Sequence, residues 1–269
     1  MPVTAAQTLR RASHSGHSMP EVPALHELYA LGVAFRPGQV VMVTGRPKAG
    51  KSNFVQWLVN QWPDHRALYN SWDTPRLTMA ARQAAITTGD RQQAIIREIE
   101  EDGPGLAFYE DALAGSPVEY CFDRKPGLDH VAEELDAYVE KWDAWPDVIV
   151  CDNLLNIDGA EESHQEQKRI LREFHELADR SGALVIVCHH ATEGTKETSR
   201  PPAARDTDGK VNQIPDLVLS VANDVEASGV GRFNLAPVAN RGGHTDANAE
   251  HYISLYTDFA RLRFDSLKF

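Results

Sequence analysis

The most informative stretch of the sequence is Gly45-Arg46-Pro47-Lys48-Ala49-Gly50-Lys51-Ser52, which fits the phosphate-binding pattern G-x-x-x-x-G-K-[ST]. Residues 39–44 before it are apolar and β-branched, which predicts a buried strand, and residues 53–59 after it have apolar side chains at helical spacing. A strand, a glycine loop and a helix in this order aim backbone N–H groups and a helix N-terminus at a phosphate chain. The predicted nucleotide-binding residues are Gly45, Arg46, Pro47, Lys48, Ala49, Gly50, Lys51, Ser52 and Asn53.

Two residues of this loop would carry its chemistry. Lys51 is expected to reach the β- and γ-phosphates, and the Ser52 hydroxyl is expected to bind Mg²⁺. Gly45 and Gly50 permit backbone conformations and a close approach that a Cβ would block. The alternative is a chance glycine turn before a helix, but both the strand and the helix that the motif requires are present.

Composition and charge limit the class of protein. The chain has 269 residues and is 42% hydrophobic, which is enough for one α/β domain with a substantial core. Its formal net charge of −12 argues against a wholly basic nucleic-acid coat, although a local basic channel remains compatible with it. No apolar run approaches the ~20 residues of a membrane span, no signal-peptide core is found near the N-terminus, and the cysteines are scattered. We therefore expect a cytoplasmic protein with no membrane segment.

The remaining sequence predicts one domain after a short tail. Residues 1–22 are polar and rich in Ser, Ala and His, which predicts a flexible tail or partner-binding arm. Over residues 23–269, strand and helix patterns first alternate, which indicates an α/β fold with a mainly parallel sheet flanked by helices. In this part, residues 106–109 are expected to form a strand. A polar loop at residues 192–213 follows, and the strand-like runs after residue 215 predict an antiparallel C-terminal extension.

Acidic residues follow two of the predicted strands. Asp152 ends the strand at residues 147–151, where a carboxylate can organise Mg²⁺; the alternative is a turn acid in an Asp-Asn pair. Asp73 follows the strand at residues 66–71 and could polarise the attacking water, or it could cap the next helix. Ser52 and Asp152 are therefore the predicted metal-binding residues.

Two further candidates are His190 and Arg241. His190 follows the strand at residues 183–188 and could sense the γ-phosphate; a packed histidine is the alternative, and the spacing of Cys188 and the two histidines does not suit a structural zinc site. Arg241 lies on a glycine turn, from which it could reach the nucleotide of a neighbouring subunit, or it could be a solvated hairpin arginine.

The order of these motifs resembles the RecA-fold motor domain of DnaB-type replicative helicases, including the compact RepA-like members from phages and plasmids. The loop at residues 44–52 looks like the P-loop of that family. Asn70-Ser71-Trp72-Asp73, with Arg82 in the next helix, is similar to the family's S-L-E-M…R segment, although Asp73 stands where the catalytic glutamate would be.

Three later segments extend the resemblance. Val150-Cys151-Asp152-Asn153-Leu154 matches the Walker-B strand, and Cys188-His189-His190-Ala191-Thr192 looks like the RepA-like H-H version of the sensor strand. Ala239-Asn240-Arg241-Gly242-Gly243 is similar to the K-x-R-x-G finger segment, with Ala239 in place of the lysine.

The resemblance implies a RecA-like P-loop NTPase that uses ATP and Mg²⁺. The catalytic residues that it implies are Lys51, Asp73, Asp152, His190 and Arg241. It further implies single-stranded DNA as a partner, contacted by the loop at residues 192–213, a homo-oligomer in the form of a hexameric ring, and a replication protein bound through the N-terminal tail.

Three functions are compatible with the sequence. The first is a ring-forming motor on single-stranded DNA with helicase activity. The second is a recombinase-like or KaiC-like ATPase switch, in which ATP sets assembly without unwinding. The third is a nucleotide-binding accessory subunit with weak hydrolysis, which is favoured by the shorter acid at Asp73 and by Ala239.

Overall fold

The computed structural model describes residues 18–123, 125–192 and 199–267. These residues form a nine-stranded sheet. The strands in chain order are β1 (Val40–Gly45), β2 (Ala67–Ser71), β3 (Val118–Cys121), β4 (Val148–Asp152), β5 (Leu184–His190), β6 (Leu217–Val225), β7 (Val230–Asn240), β8 (Ile253–Asp258) and β9 (Arg263–Ser266).

Helices connect most of the strands. They are α1 (His26–Ala30), α2 (Lys51–Val59), α3 (Arg76–Thr88), α4 (Gln92–Glu100), α5 (Leu106–Leu113), α6 (Leu128–Trp142) and α7 (His164–Ser181), with short 3-10 turns at Pro23–Leu25, Leu154–Asn156, Ala204–Asp206 and Asp208–Gln213. Within the described residues, none of these helices combines the length and the apolar character needed to cross a membrane.

The strand order is β3-β2-β4-β5-β1-β6-β7-β8-β9. The pairs from β3 to β6 are parallel, and the pairs from β6 to β9 are antiparallel. The predicted α/β fold, a mainly parallel sheet with an antiparallel C-terminal extension, is therefore confirmed. The order also places the carboxyl ends of β2, β4, β5 and β1 side by side, and ligands of open α/β sheets bind at this edge.

The sheet is buried on both faces. Along β1, Val41 and Val43 belong to one buried apolar cluster, whereas Val40 and Met42 belong to another. Because side chains alternate between the faces of a strand, each cluster lies on its own side of the sheet. This two-sided burial explains why the parallel strands read as continuous apolar runs.

The predicted strand at residues 106–109 is wrong, because these residues begin helix α5. A short apolar run does not distinguish a strand from a turn of helix by periodicity alone. Here Tyr109 and Leu113, four residues apart, pack on a small cluster around Ala81 and Ile95, which requires helical spacing. The third strand is β3, which begins nine residues after the end of the predicted one.

The packed part of the chain includes the end of the predicted tail. Residues 1–17 lie outside the described residues, but Met19 and Val22 are buried in the core. The Met19 N–H donates to Phe35 O at 2.8 Å, and Trp62 Nε1 donates to Pro20 O at 2.9 Å. Because Met19 and Val22 are buried, the packed domain begins before residue 23, where the sequence predicts its start.

We expect Met19→Ala to destabilise the protein by about 2 kcal/mol, because it leaves a cavity under the sheet. Glu21→Ala is the matched control, since the Glu21 side chain is exposed two residues away, and its effect should stay within about 0.5 kcal/mol. Urea unfolding monitored by circular dichroism measures both values. Equal stabilities of the two variants would contradict the packing of this segment.

Candidate nucleotide-binding site

The glycine loop joins β1 to α2 in a conformation that requires glycine. Gly50 directly precedes α2 and has φ = 89°. A Cβ added there would lie 2.8 Å from Phe259 Cζ, so both the backbone conformation and the space favour glycine. Asn223 Nδ2 on β6 donates to Lys48 O at 3.0 Å and holds the loop against the sheet. The loop therefore forms a concave surface of fixed shape, which the N–H groups at the start of α2 face.

Lys51 is buried at the centre of this loop, with 6% of its surface exposed. Its Nζ donates to Gly45 O at 3.0 Å and to Arg46 O at 3.1 Å, and it lies 3.3 Å from His190 Nδ1. Burial lowers the pKa of the ammonium, and the carboxylates of Asp152 and Asp73 oppose that shift. The charge is thus held by carbonyl dipoles and by two acids from neighbouring strands.

Asp152 is the last residue of β4 and is also buried. Its Oδ2 accepts a hydrogen bond from Tyr69 OH at 2.9 Å. Burial, together with the charge of Asp152, raises the pKa of the Tyr69 phenol well above its ordinary value, so the phenol remains a donor. Tyr69 therefore fixes the position of the Asp152 carboxylate beside Lys51.

Asp73 lies in the same pocket. The residues that line the pocket are Lys48, Gly50, Lys51, Ser52, Asn53, Asp73, Arg82, Asp152, Asn153, His190 and Phe259. The N-cap of α3 is Pro75, so Asp73 does not occupy the capping position that the sequence left open as an alternative. Its exposed carboxylate is available to a molecule in the pocket.

His190 is the last residue of β5, a strand that extends two residues beyond the predicted end and includes both histidines. Its Nδ1 faces the Lys51 ammonium and accepts, because an ammonium can only donate. Its Nε2 lies 3.3 Å from Asn153 Nδ2, and Asn153 Oδ1 accepts from the Leu155 N–H at 2.8 Å. The imidazole therefore lies between the tip of β4 and the loop lysine.

Arg82 on α3 also lines the pocket. Among the described residues it forms no ion pair within 4 Å, its Nε is buried without a hydrogen-bond partner, and its NH1 lies 3.9 Å from Met79 Sδ. Burial lowers the pKa of this guanidinium, and the nearby Asp152 carboxylate opposes that shift. The half-buried guanidinium therefore adds positive charge to the pocket, which suits a negatively charged ligand.

Arg241 is not in this pocket. It follows β7, and its guanidinium binds Asp216 Oδ1 at 3.2 Å, Gln213 O at 3.2 Å and Ile214 O at 3.0 Å. Asp216 Oδ2 in turn accepts from the Val40 N–H at 3.0 Å, at the start of β1. Arg241 thus lies at the amino end of β1, roughly 17 Å along the strand from the loop at its carboxyl end.

The polar loop at residues 192–213 contacts the glycine loop through Arg200. Arg46 NH1 on the glycine loop donates to Arg200 O at 3.4 Å. Arg200 itself is tied to Ala249 O at 3.2 Å and to Asn248 O at 3.1 Å. Residues 193–198 of this loop lie outside the described residues, so part of the predicted DNA-contacting segment is not placed.

The residues present fit a nucleoside triphosphate with a divalent cation. Lys51 and Arg82 offer positive charge to phosphates, and Ser52 and Asp152 offer the hydroxyl and carboxylate oxygens that Mg²⁺ prefers. A Cβ at Gly45 would lie 2.7 Å from Val221 O, so the loop backbone also packs directly on β6. The Nε of Arg82, which is buried without a hydrogen-bond partner among the described residues, is the observation that most directly favours an anion in the pocket.

Sequence reasoning did not assign four residues of the site, of which Asn153, Phe259 and Arg82 line the pocket and Tyr69 holds Asp152. Tyr69 and Asn153 lie within or next to predicted strands, and no pattern marks them as contacts of Asp152 and His190. Phe259 comes from the turn between β8 and β9, more than 200 residues from the loop it covers. Arg82 was noted only through the family resemblance, and its spacing from Asp73 is the signal that could have included it.

The fold and the pocket define the class of protein as a RecA-like P-loop ATPase domain. A family model described as an AAA domain matches residues 7–196, and the chain belongs to that family. Members of this class bind nucleotides, so nucleotide binding follows from the family as well as from the pocket.

Two phage proteins are similar over most of the chain. The Gene 65 protein of Mycobacterium phage L5 is 28% identical over 262 residues and covers 94% of each chain. The Gene 65 protein of Mycobacterium phage D29 is 27% identical over 223 residues, which cover 80% of this chain and 94% of that protein.

Solved structures show the same fold at low identity. An ATPase domain superposes with a TM-score of 0.75 at 15% identity and covers 98% of this chain and 97% of its own. A DnaB-like replicative helicase superposes with a TM-score of 0.75 at 14% identity, over 98% of this chain and 68% of the helicase. The predicted resemblance to the RecA-fold domain of such helicases is therefore confirmed at the level of the fold.

We expect Arg82→Met to change the unfolding free energy of the ligand-free protein by less than about 1 kcal/mol, because the guanidinium forms no ion pair within 4 Å among the described residues. The same change should weaken binding of ATP at least about tenfold, since a phosphate loses its guanidinium. Urea unfolding and fluorescent-nucleotide titration measure the two effects.

Arg76→Met is the matched control for this experiment. Arg76 is exposed on the same helix and stacks over the Phe122 ring at 5.4 Å, outside the pocket. Its replacement should leave nucleotide affinity unchanged. A loss of stability in Arg82→Met without any loss of affinity would contradict the role of Arg82 as an anion-binding group.

Proposed function

We propose that the chain is an ATP-hydrolysing, ring-forming motor that acts on single-stranded DNA, with DNA unwinding as its output. The observation that supports this proposal is the convergence of Lys51, Ser52, Asp73, Asp152 and His190 in one pocket at the carboxyl edge of the sheet. Four separate strands or loops supply these groups, and each has the chemistry that phosphoryl transfer to water requires.

In this proposal, each side chain has one task. Lys51 and Arg82 bind phosphate oxygens, while Ser52 and Asp152 hold Mg²⁺, which supplies charge neutralisation at the phosphates when bound. The Asp73 carboxylate orients water and accepts its proton. Tyr69 keeps the Asp152 carboxylate in place through its 2.9 Å hydrogen bond.

The contacts of Lys51 suggest how nucleotide state is passed on. In the ligand-free arrangement, the ammonium is shared between the Gly45 and Arg46 carbonyls and His190. When Lys51 turns towards a phosphate, the contact between its ammonium and His190 Nδ1 would break. Since His190 directly precedes the loop at residues 192–213, such a change would reach the segment that we propose to contact DNA.

A ring of identical subunits is proposed because Arg241 cannot serve its own pocket. The Arg241 guanidinium lies at the opposite edge of the sheet, and in a ring that edge can face the pocket of the neighbouring copy. In that position Arg241 would stabilise the charge that develops on the transferred phosphoryl group. A hexameric ring is the assembly that we propose.

The proposed partners follow from the same likeness. The solved DnaB-like helicase is described together with its interactions with primase. For this chain we propose single-stranded DNA as the substrate track and a replication protein as a partner of the predicted tail before Met19, because Met19 and Val22 are buried in the core. We also propose that the motor acts in the cytoplasm, where replicating DNA and ATP are both present.

We expect measurable ATPase activity that single-stranded DNA stimulates several-fold, and we expect Lys51→Ala to abolish it. Asp73→Asn should lower kcat at least about 100-fold with little change in nucleotide affinity, because it removes the proton acceptor and leaves the phosphate-binding groups in place. Asp73→Glu should retain activity. A coupled phosphate-release assay with and without oligonucleotide measures all three variants.

The outcomes separate the three functions. DNA stimulation together with strand separation of a forked duplex supports the motor. DNA-dependent assembly without strand separation supports an ATPase switch. Tight ATP binding with no turnover in the wild-type protein supports an accessory subunit and would overturn the motor proposal.

We expect Arg241→Ala and Lys51→Ala each to be inactive alone, and an equal mixture to regain about a quarter of the wild-type rate. In a randomly mixed ring, that fraction of sites combines an intact Lys51 from one chain with an intact Arg241 from its neighbour. The variants should be mixed after reversible dissociation and assayed for phosphate release. A mixture that stays inactive while rings form would contradict a shared site.

A further inference from the structure

A second cluster of ligand-type side chains lies outside the nucleotide pocket. It consists of Asp123, just after β3, and of His130 and Glu134, one turn apart on α6. One ligand atom from each of the three lies within 4.8 Å of the others. The catalytic proposal uses none of these residues, and none of them lines the nucleotide pocket.

The three side chains converge on one nitrogen. His130 Nε2 lies 2.5 Å from Asp123 Oδ2 and 3.6 Å from Glu134 Oε1. Around a tetrahedral ion with bonds of roughly 2.0–2.1 Å, ligand atoms are spaced by roughly 3.4 Å. Small side-chain rotations therefore suffice to place an ion between these atoms.

The other imidazole nitrogen has the partner that a metal-binding histidine requires. His130 Nδ1 lies 3.5 Å from Glu133 Oε2. Metal-binding histidines usually donate their second ring N–H to a carboxylate or carbonyl, which fixes the tautomer and the orientation of the ring. Glu133 is placed for this purpose, on the side of the ring opposite the cluster.

The negative charge of the cluster is not neutralised by other described residues. Asp123, Glu133 and Glu134 surround one imidazole, and no lysine or arginine among the described residues pairs with them. The nearby Lys125 binds Glu161 at 3.6 Å instead. The Glu134 side chain is only 11% exposed, and its carboxylate has the Cys121 thiol and His130 as its partners among the described residues. A carboxylate buried to this extent without a lysine or arginine partner is stabilised by a bound cation.

The donor set selects the kind of cation. One imidazole nitrogen with two carboxylate oxygens suits Zn²⁺ and related divalent transition metals, whereas Mg²⁺ and Ca²⁺ prefer oxygen ligands alone. The carboxylates of Asp123 and Glu134 supply the negative charge of the site.

We propose that Asp123, His130 and Glu134 form a binding site for Zn²⁺ or a similar divalent transition metal, with Glu133 orienting the imidazole. The ion would clamp the segment after β3 to helix α6 at the outer edge of the sheet. This role is structural and independent of nucleotide hydrolysis, because the site joins β3 to α6 and leaves the groups of the nucleotide pocket untouched.

The test is titration of the tag-free full chain with Zn²⁺ alone, without nucleotide, by isothermal calorimetry and thermal unfolding. We expect one equivalent bound in a His130-dependent manner, and an upward shift in Tm of about 5 °C at saturating Zn²⁺. His130→Ala and Asp123→Asn should each remove this equivalent and the Tm shift. Glu133→Gln should weaken binding by about tenfold, as loss of a partner of a metal-binding histidine does.

Two controls make the result specific. Glu140 lies on the exposed face of the same helix, and the variant Glu140→Gln should bind Zn²⁺ like the wild type. The chain has 11 histidines, so any Zn²⁺ bound elsewhere must persist in His130→Ala. Asp123 is 61% exposed, so Asp123→Asn reports on binding even where a change on α6 disturbs folding. Equal Zn²⁺ stoichiometry and affinity in the wild type, His130→Ala and Asp123→Asn would overturn the proposal.

Discussion

The buried ammonium of Lys51 determines how the pocket is built. A charge at 6% exposure is stable only where dipoles or opposite charges surround it. Here the Gly45 and Arg46 carbonyls accept from it directly, and Asp152 and Asp73 contribute negative charge from two other strands. The glycine loop, β4 and the end of β2 must therefore be adjacent, and the parallel strand order provides that adjacency.

The fold could be predicted from the sequence wherever a sequence pattern follows directly from a physical requirement of the structure. Continuous apolar runs identify strands that are buried on both faces, and the loop at residues 45–52 fixes which strand lies at the centre of the site. The prediction failed at residues 106–109, because an apolar run of four residues fits either a strand or the buried face of a helix. Only the tertiary contacts of α5 with α3 and α4 decide between them.

Residues of the candidate site could be predicted from the sequence where they lie at the ends of strands. Asp73, Asp152 and His190 were found because a polar residue after an apolar strand is visible in the sequence. Tyr69 and Phe259 were not, since one faces Asp152 from the middle of a strand and the other reaches the loop from a distant turn. Contacts of this kind depend on the register of the strands and on the direction of each side chain. Neither can be obtained from the spacing of residues along the sequence.

The antiparallel extension explains how one chain can carry parts of two sites. Because β7 runs opposite to β6 and β1, a residue after its end is returned to the amino edge of the sheet. Arg241 therefore lies far from the glycine loop that the same sheet supports, and it is held there by Asp216, which also accepts from the first residue of β1. In the ring that we propose, an arginine so placed would complete the phosphate site of another copy, and its release from Asp216 would set part of the cost of assembling that shared site.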